Sequence, residues 1–370
     1  MGLLDYYRQF QGLSDEEVSQ ELRARAEERR RRALARIDPL DLSATTWHEL
    51  PHPDVVAAIT YVARRGLNRL TDPHAVELRR ELARRHGIDP ERVAVGNGAG
   101  GLLEAAAREL MDPGDELVTP WPSYPLYPLM ARAAGGRPVP VPGHDADAIF
   151  AAVGERTRVL ALCNPNDPNG AYLDTGALRS LLERLPDHVT VLLDEALVDF
   201  VDVERPGASL ALLDDFPRLV VLRTFSKAYG LAGLRCGYAL GGPGSEPLIE
   251  ALMPALGISE LAQAGALEAL RKCGPQVAAR REAVLTQRAR LLDALADLPV
   301  DAPASQANFL WLRAPGLADG ELFARLRRAA IIAHPGSEVG EPDHVRVTIQ
   351  SPSATERLLE ALRGATQVAA

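Results

Sequence analysis

Residues 219–240, LVVLRTFSKAYGLAGLRCGYAL, leave few folds open to this chain. The run 219–222 is short, apolar and rich in valine, as a strand buried on both faces is, and Thr224, Ser226 and Lys227 follow at its carboxyl end. In open α/β sheets, ligands gather at that edge. A lysine held against apolar neighbours is pushed toward its neutral form and can condense with an aldehyde. Arg235, eight residues on, adds a permanent forked cation. Gly230, Gly233 and Gly237 are threaded among apolar residues, which suits a backbone packed around a phosphate better than an exposed loop.

The cofactor that needs both the lysine and the arginine is pyridoxal phosphate. TFSKAYGLAGLRCGY resembles the lysine segment of aspartate-aminotransferase-fold enzymes, and among them most of all that of histidinol-phosphate aminotransferases. The resemblance covers the chain from about Pro39 to the end. It implies a pyridoxal-phosphate-dependent aminotransferase, homodimeric, with active sites at the interface. Its substrates would be an amino acid or histidinol-phosphate-like amine as donor and a 2-oxo acid as acceptor.

With 370 residues, 46% of them hydrophobic and 25% charged, the chain can bury a large core and is expected to divide into two lobes. A net charge of -9 gives no electrostatic footprint for nucleic acid. The one basic run, Arg29 to Arg32, follows Glu27 and Glu28 and pairs with them at helical spacing, which predicts a solvated helix face. Cys163, Cys236 and Cys273 have no paired spacing, and no apolar stretch approaches the ~20 residues of a membrane span. The expectation is a reduced, cytoplasmic protein with no membrane partner.

Ser14 and Glu17 open a capping box, and Val18, Leu22, Ala26, Ala33 and Ile37 then predict an amphipathic helix to about Arg36. A helix over 54–65 follows a proline-punctuated stretch. There HELPH, residues 48–52, matches the zinc-protease pattern, but Pro51 and Pro53 argue against a helix that would align His48 with His52. A helix over 75–85 with Val76, Leu78, Leu82 and Ala83 inward precedes a strand at 92–95. Next comes GNGAGG, in which Gly96, Gly98 and Gly101 spell GxGxxG. A dinucleotide turn would want an acid near the end of the second strand, whereas Glu116 stands before that strand. The glycine turn opening the helix over 102–111 still suits a phosphate, and Ala99 and Gly100 are the expected donors.

Strands over 158–163 and 189–193, helices over 246–253, 261–272 and 276–295, and mixed short elements beyond complete the reading. The fold class is α/β, a large domain with a mostly parallel sheet covered by helices on both faces (the aspartate aminotransferase fold), plus a smaller α+β domain. The expected boundaries are an N-terminal helical segment at 1–45, a large cofactor-binding domain at 46–275 and a small C-terminal domain at 276–370.

Further roles follow from the resemblance. Tyr124 in PSYPLY is similar to the family tyrosine that stacks on the pyridine ring, and Asp194 in DEAL to the carboxylate at the pyridine nitrogen. Lys227 would carry the cofactor and move the proton, and Thr224, Ser226 and Arg235 would hold its phosphate. Arg346 in HVRVTI, Asn308 in SQANF and His334 would face the substrate. Four positions depart from the family. Asp167 and Leu197 stand where asparagine and tyrosine would donate to the cofactor's 3-hydroxyl, Leu70 where a tyrosine would reach the partner's phosphate, and His334 where an arginine would stand. These departures leave room for a decarboxylase, racemase or lyase on the same fold, or for a non-catalytic cofactor-binding paralogue.

Overall fold

The computed structural model describes residues 38–366, with helical positions 20, 22–25 and 28. Most of the helix expected over 14–36, including the basic run at 29–32, lies outside the described residues. In chain order the strands are β1 (Leu40–Asp41), β2 (Val93–Gly96), β3 (Glu116–Trp121), β4 (Arg137–Pro142), β5 (Thr157–Cys163) and β6 (Thr190–Asp194). They continue as β7 (Leu219–Thr224), β8 (Gly237–Gly241), β9 (Phe309–Arg313), β10 (Ile331–Ile332), β11 (His334–Pro335) and β12 (His344–Thr348).

Seven strands form the central sheet in the order β2-β8-β7-β6-β5-β3-β4. The run from β7 to β4 is parallel throughout, and β8 runs antiparallel between β7 and β2. Alternate side chains feed two separate cores. Leu160, Leu162, Val191, Leu193 and Val221 point to one face, and Val159, Ala161, Leu192, Val220 and Leu222 to the other. Helices cover both faces. Gly98–Leu110 and Leu126–Ala133 lie on one, and Val76–His86, Thr175–Leu182 and Glu260–Lys272 on the other. Burial on both sides is why β5, β6 and β7 read as unbroken apolar runs.

Two sheet strands carry no such signal. β4, RPVPVP, has three prolines without amide donors, and it is tolerated because it lies at the sheet edge and pairs only with β3. β8 is GYALG, whose small residues give little apolar contrast. One inward assignment is corrected. Val76 is 38% exposed, because it lies two residues from Leu78, about 200° round the helix from the buried stripe of Leu78 and Leu82. Residues 48–52 are not helical, and His52 instead accepts the amide of Asp54 at 3.2 Å to cap the helix Pro53–Gly66. His48 and His52 therefore share no helical face.

A second core gathers around the antiparallel sheet β11-β12-β9 and the helices Gly274–Leu295, Glu321–Arg328 and Pro352–Thr366. β1 pairs with β10 and brings Leu42 into this core, while Leu197, Phe200 and Ala228 join it from loops of the large sheet. The smaller unit thus seats against one edge of the large one. On that same edge Gly96, Cys163, Asp194 and Thr224 end the parallel strands β2, β5, β6 and β7, and Gly237 begins β8.

Gly237 lets the turn at 98–99 close onto this edge. A Cβ there would fall 2.6 Å from the carbonyl carbon of Gly98 and 2.9 Å from the carbonyl oxygen of Arg223, and nearer still to the Ala99 amide nitrogen. Backbone cannot move aside as a flexible side chain can. Gly237→Ala is therefore expected to destabilise the protein by about 1–3 kcal/mol, the usual cost of overpacking, seen as a lower urea midpoint. It should also weaken binding of inorganic phosphate, since the turn and the β7 hydroxyls move apart.

Candidate active site

The edge of the large sheet first provides a cradle for an anion. Gly98, at φ 76°, opens the helix Gly98–Leu110, and Asn97 makes no side-chain cap, so the first-turn amides of Ala99 and Gly100 remain available as donors. Thr224 and Ser226 stand beside them with hydroxyls 3.0 Å apart, and the Ser226 amide donates to Thr224 Oγ1 at 3.1 Å. Arg235 lies against the turn, since a Cβ on Gly98 would sit 2.7 Å from its Nη2. Amides at a helix amino terminus, two hydroxyls and a guanidinium form a donor set suited to a phosphate dianion.

Behind the cradle lies an acid with neutral partners. Asp194 is buried, and it accepts from the Tyr127 hydroxyl at 3.0 Å and the Ala196 amide at 3.1 Å. Burial pushes its carboxyl up to about 6, against the stabilising pull of these donors and of Lys227 nearby. A buried carboxylate whose direct partners are neutral donors fits the protonated nitrogen of a pyridine ring. Tyr124 is 39% exposed and packs edge-on against Tyr127, with ring centroids 5.7 Å apart. Tyr127 is fully buried and donates to the carboxylate, and Tyr124 lines the same cavity as Asp194.

Lys227 reaches the same place from the end of β7. Its Nζ donates to Thr45 Oγ1, and burial lowers the lysine from its ordinary range, helped by Arg346 and opposed by Asp167 and Asp194. Every residue that the resemblance assigns to the cofactor lines one cavity of about 150 Å³, joined there by Thr46, Cys163, Ala196 and Leu197. These residues fit pyridoxal phosphate at each of its three handles.

The residues expected on the substrate side are gathered by the smaller sheet. Arg346, on β12, donates Nη1 to Asp167 Oδ1 and Nη2 to the Ser43 carbonyl at 2.8 Å. His334 is its register partner on β11, and burial and Arg346 lower the imidazole's pKa. None of the three lines the cofactor cavity itself; Arg346 reaches it through Asp167, whereas Asn308 Nδ2 donates to the Thr45 carbonyl at 3.0 Å while its Oδ1 is buried without a partner.

The GxGxxG turn is present, but Glu116 begins β3 at the opposite edge of the sheet and binds Arg137 at 2.5 Å and Arg156 at 2.9 Å. That acid is too far round the fold to serve a dinucleotide ribose. Sequence reasoning missed the 43–46 segment altogether, and it did not see that Tyr127 holds Asp194. The second tyrosine of PSYPLY was the available signal for Tyr127, which sits in the helix Leu126–Ala133 that Tyr124 precedes. Nothing local marks Ser43 or Thr45.

Comparison with known proteins agrees with this geometry. The family model described as "Aminotransferase class I and II" matches residues 37–362. An aromatic amino acid aminotransferase from Corynebacterium efficiens is 37% identical over 330 residues, 88% of this chain and 92% of that protein. The crystal structure of a histidinol-phosphate aminotransferase from Sinorhizobium meliloti, in complex with pyridoxal-5'-phosphate, superposes with a TM-score of 0.81 at 27% identity, covering 93% of this chain and 95% of that one. A Thermus thermophilus aspartate aminotransferase double mutant gives 0.78 at 26% identity, with 96% and 99% covered.

The raised carboxyl of Asp194 carries a stability consequence. Its folded state holds the proton more tightly than the unfolded chain does, so stability falls as pH rises from about 4 through about 6 and does not recover above. In protein stripped of cofactor, Asp194→Asn should raise the unfolding free energy at pH 8 by an amount on the order of 3 kcal/mol at most, with little gain at pH 4. Urea titrations at the two pH values measure it, and an equal shift at both would show that desolvation of the charge is not the cause.

Proposed function

The chain belongs to the class I and II aminotransferases, and from that premise we propose that it moves the amino group of an aromatic amino acid to a 2-oxo acid, with Lys227 as the residue that carries the cofactor and the proton. The observation that carries this reading is the meeting, in one cavity, of a desolvated lysine, a buried acid and a phosphate cradle. The cofactor is pyridoxal phosphate. When bound, it supplies an electron-withdrawing ring to the carbon that bears the amino group.

The remaining work falls to side chains. Ala99, Gly100, Thr224, Ser226 and Arg235 would hold the phosphate, and Asp194, oriented by Tyr127 and the Ala196 amide, would keep the ring nitrogen protonated. Tyr124 would cover the ring. Lys227, lowered toward neutrality by burial, would accept on Nζ the proton that leaves the substrate's α-carbon. Thr45 steadies its amine. Arg346 receives the substrate carboxylate, and Asn308 braces the 43–46 segment from behind.

The aromatic donor is supported by the names of several relatives, including the Corynebacterium efficiens protein. It is also supported by His334. A phosphorylated donor such as histidinol phosphate wants fixed cations, and an imidazole held toward its neutral form by burial and Arg346 supplies none near pH 7. A homodimer is part of the same reading, because Leu67, Leu70 and Leu256 are 73%, 97% and 84% exposed and would be covered by a second copy. The cytoplasm suits its three buried, unpaired cysteines.

Borohydride reduction of the yellow holoenzyme, followed by peptide mapping, should place the label on Lys227. In single turnover, phenylalanine or tyrosine should bleach the visible absorbance, with kcat/KM at least about tenfold above that for histidinol phosphate, a difference of ~1.4 kcal/mol. A label elsewhere refutes the lysine assignment. A preference for the phosphorylated amine refutes the donor assignment and leaves the lysine untouched.

A further inference from the structure

Arg346 already holds a carboxylate. It is 8% exposed, with its guanidinium carbon 5.4 Å from the centre of the Phe309 ring, and Asp167 and the Ser43 carbonyl occupy its two terminal nitrogens. Its Nε is buried without a partner. Asp167 is itself largely covered, its side chain 13% exposed, and it lines the cavity shared by Lys227 and Asp194. An asparagine here would hold the guanidinium without changing its charge. An aspartate cancels it.

We propose that Asp167 is a positioning and specificity-determining residue, a built-in counter-ion of Arg346 that a substrate carboxylate has to displace or tolerate. The inference rests on reading Arg346 as the carboxylate's partner. The charge around that subsite decides the consequence. Arg346 contributes one positive charge and Asp167 one negative charge, and His334, paired with Arg346 across β11 and β12, adds no fixed cation. An incoming anion therefore meets a neutral pair instead of a free cation, and at contact distance in a partly buried site the like charge of Asp167 weakens it on the order of ten- to a hundredfold. Groups without charge feel no such term. The site consequently separates carboxylate-bearing donors from carboxylate-free amines less sharply than the same site with asparagine would.

The test compares two ligands of nearly the same shape, 3-phenylpropionate and 3-phenylpropanamide, binding to the pyridoxal-phosphate-loaded protein by calorimetry. Four proteins are used: wild type, Asp167→Asn, Arg346→Ala and the double variant. Asp167→Asn should tighten the acid ten- to a hundredfold and leave the amide within about twofold, and the gain should vanish when Arg346 is alanine. Asp167→Ser carries the same expectation should the asparagine variant fail to fold. An Arg346→Ala protein that loses the acid, beside an Asp167→Asn protein that does not gain it, overturns the counter-ion and leaves Arg346 in place. Equal shifts for acid and amide overturn it as well. Undiminished acid binding in Arg346→Ala removes both the counter-ion and the reading of Arg346 beneath it.

Discussion

The burial of one carboxylate organises this molecule. Asp194 ends β6 between β5 and β7, where water is excluded and only neutral donors touch it. An isolated acid in such a place loses hydration without a compensating cation, so it is tolerated for what it can bind. The parallel sheet puts the end of β7, with its hydroxyls and lysine, beside it, and the glycine turn after β2 closes the same edge. Each group in the cavity is placed by the carboxyl end of a strand or by the loop that follows one.

The two neighbouring side chains show how that edge is held. Asp194 and Thr224 face the cavity, while Glu195, just after β6, and Arg223, the residue of β7 before Thr224, pair at 2.6 Å outside its lining. Glu195 also accepts from Ser209, and both members of the pair are largely buried. A buried ion pair of this kind contributes little net stability against an apolar alternative, but breaking it would strand a charge. It locks the ends of β6 and β7 in register, which is what the separation of Asp194 from Lys227 requires.

The smaller unit completes the site from outside. β1 pairs with β10, and the segment that follows β1 bridges the two units: the Ser43 and Thr45 carbonyls accept from Arg346 and Asn308 of the smaller unit, and the Thr45 hydroxyl accepts from Lys227, which follows β7 of the large sheet. Leu197, where the family resemblance leads one to expect a tyrosine, is buried in the core that this unit shares with the large sheet. With Asp167 standing where the resemblance leads one to expect asparagine, neither of the two neutral donors expected from it is present in the cavity that Lys227, Asp194 and Thr224 line.

Much of this was legible from residues alone. Strands buried on both faces announce themselves as apolar runs, so β5, β6 and β7 and the polar residues ending them could be named in advance, and with them Lys227, Asp194, Thr224 and Ser226. The glycine turn and Arg235 followed from the same local chemistry. β4 was hidden because its prolines argue against a strand unless the strand is at an edge, and an edge is a property of the assembled sheet. Asp167 was visible as a departure, but its pairing with Arg346 joins residues 179 apart in the chain. Thr45 lies 182 residues from Lys227, in a segment that carries no motif. Local periodicity and motif spacing report which groups a chain carries and which strand end bears them. Which acid neutralises which base is decided only when distant segments are brought within a few ångströms, because the energy of that choice depends on separation and burial, and neither exists before the chain has folded.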